Sequence, residues 1–157
     1  MSGSNTIDAY SSGQVDCGTL QELYTEAYTQ ARVYLSTVQK YDFSQHAPAK
    51  TLHLRILTLA DLNNPDNFSE TDSQCMYNIR CASGAYFGRT FTSPASSNIN
   101  VYVVYPETKS IKWKFSFPST IKHELMHAIL YRYQWNILLG DKEHALVDKF
   151  LEWGKSR

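Results

Sequence analysis

The sequence predicts an α+β fold: a long N-terminal helix and a histidine-bearing helix packed on a twisted, mixed sheet of about four strands, then a C-terminal helix. Three observations predict it. Apolar residues recur at intervals of three and four between Thr19 and Tyr41. Strand-like runs fill the middle of the chain, separated by polar, turn-forming stretches. Helical spacing then returns around His123-Glu124-Leu125-Met126-His127 and again towards the C-terminus. A sheet must hide one face and an amphipathic helix one stripe, so stacking the helices on the sheet in two layers is the simplest solution. Residues 1–14 are polar, rich in Ser and Gly, and read as a flexible segment, while residues 15–157 read as one domain with a single core.

The first helix is expected from Thr19 to about Tyr41, with Leu20, Leu23, Tyr24, Ala27, Ala31, Tyr34, Leu35 and Val38 on its buried stripe. Thr19 followed by Glu22 has the form of a capping box. Residues 42–50 connect to a strand over Thr51–Ile56, where alternation turns His53 away from its apolar neighbours and towards the surface. Asp61, Asp66, Glu70 and Asp72 fall in a polar loop without the spacing of a calcium loop, so that loop reads as solvated. Strand-like runs follow at Met76–Phe91, with a break at Gly84, then at Ile99–Tyr105 and Ser110–Phe117. The last alternates Ile111, Trp113, Phe115 and Phe117 with Lys112, Lys114 and Ser116, and residues 106–109 make a hairpin turn before it.

Pro118 and Ser119 signal a helix start ahead of the histidines. Residues four apart share a helix face, so His123 and His127 are placed to grip one metal ion, with Glu124 beside it to take a proton from water. The alternative is an ordinary amphipathic helix that happens to carry two histidines. A catalytic zinc needs a third protein ligand and an open fourth position. Glu143 and His144 are adjacent candidates, near the start of a last helix expected from an Asp141 N-cap to about Trp153. With 100° per residue, Glu143 lies roughly 30° from the apolar side of that helix and His144 roughly 130° from it. An inward carboxylate needs a strong partner, which favours Glu143, whereas a helix starting at His144 or later favours His144.

The H-E-x-x-H pattern at 123–127, followed by a helix that offers a Glu, resembles the zincin metallopeptidases and, more loosely, their gluzincin branch. The resemblance in element order runs from about residue 19 to the end, but it is specific only at His123, Glu124 and His127. The Gly and His of the longer metzincin pattern are replaced by Leu130 and Tyr133. Gluzincins often place an Asp four residues after the ligand Glu, and here Val147 stands there, while Asp148 stands four after His144. The resemblance implies a zincin-like catalytic domain holding Zn2+ and hydrolysing peptide bonds by a metal-activated water, with Glu124 as general base. Tyr131 is a candidate oxyanion donor, with simple packing over the cleft floor as its other reading, and Asp148 is a candidate acceptor for a ligand histidine N–H. The stretch 83–87 is similar to the cleft-side strand of some gluzincins, which makes 83–91 a candidate rail for an extended substrate.

Composition narrows the partners. Fifteen acidic and fifteen basic residues give a formal net charge of zero, which argues against nucleic acid and membrane surfaces. The chain has no apolar run long enough for a membrane span and no visible signal peptide, although a leader could have been removed. Cys75 and Cys81 are close enough to pair, leaving Cys17 odd, and Asn67-Phe68-Ser69 is a glycosylation-type triplet; the lean is towards a secreted or periplasmic protein over a cytoplasmic one. The expected partner is a peptide or protein substrate. The competing readings are a non-catalytic zinc- or peptide-binding module and an enzyme that needs a protein partner to complete its cleft.

Overall fold

The computed structural model describes residues 7–11, 16–44, 50–57, 88–91, 98–104 and 117–155. In chain order the elements are β1 (Ile7–Ser11), α1 (Cys17–Thr37), β2 (Thr51–Leu57), β3 (Gly88–Phe91), β4 (Asn98–Val104), α2 (Phe117–Arg132), α3 (Trp135–Leu139), a 3₁₀ turn (Gly140–Lys142) and α4 (Glu143–Lys155). The strands lie in the order β1-β2-β4-β3. β2 pairs in parallel with β1 and with β4, and β3 pairs antiparallel with β4. Parallel neighbours need a long crossover, which α1 supplies between β1 and β2.

This overturns the expected zincin-like architecture. A strand, β1, precedes the first helix, inside a stretch where no hydrophobic periodicity marks one. Most described residues are helical, and the expected order of one helix, four strands and two helices is not followed. Phe117, expected to end a strand, opens α2 instead, because Pro118 and Ser119 favour the first helical turn over continued alternation. A short helix, α3, separates α2 from α4 after Gln134 adopts a left-handed backbone (φ 60°). Of the strand expected over Met76–Phe91, the part at 88–91 is β3, while residues 76–87, the acidic loop, the hairpin turn at 106–109, residues 110–116, the glycosylation-type triplet and Cys75 and Cys81 lie outside the described residues.

Two apolar clusters meet on α2. Leu52, Leu54 and Ile56 of β2 and Ile99, Val101 and Val103 of β4 turn one sheet face towards Leu20 and Ala27 of α1 and Ile121, Leu125 and Ala128 of α2. Met126, Ile129 and Leu130 of α2 face away from the sheet, against Tyr34 and Leu35 of α1 and Leu146, Val147 and Phe150 of α4. A helix apolar on both sides is a buried helix. Arg132 at its end is itself fully buried, donating from Nη2 to the Lys50 carbonyl and from Nη1 to the Tyr28 hydroxyl at 3.5 Å. One guanidinium thereby joins α2 to α1 and to the residue before β2.

The start of α1 differs from expectation by a few residues. Asp16, not Thr19, is the N-cap: its carboxylate accepts from the Thr19 amide at 2.9 Å and from the Thr19 hydroxyl at 2.9 Å. Those bonds, the amide first, hold the Asp16 carboxyl below its ordinary value. A lowered folded-state value means a stabilising contribution that is present above the ordinary carboxylate range and lost as pH falls through the depressed value. Asp16→Ala is expected to lower the melting temperature at neutral pH, and its gap from wild type should close as pH is lowered through that range. A gap that does not change with pH would rule out this cap.

Candidate functional site

α2 carries the paired histidines on one face, and α4 brings a third histidine up to them. The Nε2 atoms of His123 and His127 are 3.3 Å apart. His144, in the first turn of α4, sets its ring 4.7 Å from that of His127 and 6.0 Å from that of His123, centroid to centroid. The three imidazoles each offer a donor nitrogen, all within 4.8 Å of one another. Zinc bonded to nitrogen at about 2.0–2.1 Å in a tetrahedron holds its donors about 3.3–3.4 Å apart. The His123–His127 pair meets that spacing, and exposed His144 can close the rest by side-chain rotation. The donor set therefore fits zinc.

Glu143, expected on the inward side of the last helix, does face inward, with 12% of its side chain exposed. Its Oε2 meets Nδ1 of His127. A carboxylate on Nδ1 holds the proton there and leaves the Nε2 lone pair turned to His123. Two imidazole lone pairs do not approach to 3.3 Å unaided; a proton on His123 Nε2 or a cation between the rings makes the approach favourable.

Glu124 is buried, 6% exposed, at the other side of the histidines. Its Oε2 lies 3.9 Å from His123 Nε2. Its Oε1 accepts from the hydroxyl of Thr90 on β3 at 2.7 Å, and the same hydroxyl is 3.1 Å from the Glu124 carbonyl. The two carboxylate oxygens are thus distinguished: one is tied to the sheet, and the other is turned to the imidazoles.

Tyr131 sits one turn past His127, with ring centroids 6.1 Å apart, and packs against the sheet-side core. Asp148 is exposed and makes no hydrogen bond or ion pair with a histidine among the described residues, so the carboxylate that meets an imidazole N–H is Glu143 and not Asp148. His53 keeps to the sheet, its Nε2 2.8 Å from Asn98 Oδ1. Thr90 is the site residue the sequence did not reveal. It is far from Glu124 along the chain, and threonine in a strand is ordinary by propensity alone.

No helix among the described residues is long and apolar enough to cross a membrane. Comparison with known proteins finds no family model, no curated protein and no solved structure that matches the chain.

Zinc titration separates the two adjacent candidates on α4. His144→Ala is expected to lose stoichiometric zinc. Glu143→Gln should keep the stoichiometry while weakening affinity by about 10- to 100-fold, the usual effect of removing a carboxylate behind a ligand histidine. The opposite pattern would make Glu143 the direct ligand.

Proposed function

We propose that this chain is a zinc-dependent hydrolase that cleaves peptide bonds. One observation carries the reading: three imidazole nitrogens lie within 4.8 Å of one another, a group that could hold a metal ion, and a buried carboxylate oxygen lies 3.9 Å from one of them. His123, His127 and His144 would hold the ion, and Glu143 would stand behind His127. When bound, zinc supplies Lewis acidity, which acidifies water and polarises a carbonyl.

The residues of the chain do the rest. Glu143 keeps His127 in the tautomer whose Nε2 is a donor to metal. Glu124 takes the proton of the attacking water on Oε2, the oxygen facing the histidines, and returns it to the leaving amine. Burial of Glu124 limits exchange of that proton with bulk solvent. β3 ends the row of described strands, next to the strand-to-Glu124 contact, and an extended peptide is the ligand suited to such an edge.

A carboxylate that only filled space would not need to be turned to the histidines, and this favours catalysis over a binding-only module. Glu124→Gln is expected to retain zinc and to lower hydrolysis of a quenched fluorescent peptide library by about 10²- to 10⁴-fold, the usual contribution of a positioned base. A chelator should abolish wild-type cleavage and added zinc restore it. Wild-type rates in the variant would refute the role of Glu124, and chelator-insensitive cleavage would refute the metal.

A further inference from the structure

We infer that Thr90 is a positioning residue for Glu124: its hydroxyl fixes which carboxylate oxygen faces the histidines, and at what angle. The inference rests on the reading of Glu124 as the base. The last torsion of a glutamate is broad and nearly two-fold, so covalent geometry alone does not choose between Oε1 and Oε2. Thr90 makes the choice. Its hydroxyl has one proton, and the 2.7 Å contact to Oε1 is the shorter of its two contacts, in the range of a charge-assisted bond to a carboxylate. Oε2 is left at 3.9 Å from His123 Nε2, where a water shared with the site would lie.

The anchor is stiff. Threonine is β-branched and restricted at χ1. Its backbone is held in register with Val101 of β4. Both partners are buried, so bulk water competes weakly for the bond. The strand that holds the base is also the last in the row of described strands, so both parts of the proposed reaction refer to one element.

Thr90→Val keeps the shape and removes the hydroxyl, and Thr90→Ser keeps the hydroxyl and removes the methyl. On a quenched fluorescent peptide that wild type cleaves, Thr90→Val is expected to lower kcat by about 10- to 100-fold, as misplaced catalytic groups do, with little change in KM or zinc stoichiometry. Thr90→Ser should restore most of kcat. A second readout needs no turnover: acetohydroxamate chelates zinc and gives its proton to a neighbouring carboxylate. Its affinity for the zinc-loaded protein should fall in Thr90→Val and in Glu124→Gln alike, and recover in Thr90→Ser.

Wild-type kcat and acetohydroxamate affinity in Thr90→Val would overturn the inference, as would a Thr90→Ser variant no better than Thr90→Val. Loss of zinc from Thr90→Val would overturn it too, since Thr90 would then help assemble the metal site. If Thr90→Val does not fold, Thr90→Ala carries the same comparison. If wild type cleaves no peptide, the peptidase reading fails, and the acetohydroxamate series alone decides the role of Thr90. If wild type takes up no zinc, both readings fall together.

Discussion

His127 is held from two sides, and the site depends on that grip. Glu143 meets its Nδ1, and His123 Nε2 faces its Nε2 at 3.3 Å. The first contact joins α4 to α2; the second defines where a cation would sit. Without Glu143, the imidazole could exchange tautomers, and the first turn of α4 would lose its polar tie to the histidines. In the proposed site, metal ligation and tertiary docking would therefore share one side chain, His127. A ligand that also pins two helices links metal affinity to folding stability.

The grip is only as good as the helix that bears it. α2 has apolar neighbours on its sheet side and on its α1 and α4 side, so it has little freedom to rotate. Rotation would drive His123 and Glu124 into one of the two cores. At its end, Arg132 adds a polar lock in a fully buried position, with a carbonyl and a hydroxyl as partners. Removing either partner leaves a buried guanidinium N–H without its hydrogen bond, which is costly. Specific packing and the buried Arg132 guanidinium thus fix the azimuth of the face that carries His123, Glu124 and His127.

The sequence exposed what is periodic and concealed what is not. His123, Glu124 and His127 were legible because 3.6 residues per turn converts their spacing into geometry. The inward direction of Glu143 was legible from helical phase, but its partner was not: the need of a buried carboxylate is met by an imidazole N–H, which phase cannot distinguish from a metal. Thr90 was invisible, because a single hydroxyl brought in by strand pairing leaves no pattern. Thr19 and Glu22 mimic a capping box three residues past the true cap, Asp16, and Thr19 is the donor and not the cap. Phe117 closes the alternating run in the sequence, yet it opens α2, because the proline that follows it favours the first helical turn. β1 has only five residues and draws its place from backbone pairing with β2, a source of order that hydropathy does not record.

That pairing has a kinetic consequence. Ile7 aligns with Leu52 and Ser11 with Ile56, so β1 has no seat until a whole helix and the strand after it have been synthesised. In that interval its backbone amides and carbonyls are an open template, and a neighbouring nascent chain offers the same complementary seam. Exchange of β1 between two copies is the misassembly to which such a topology is exposed.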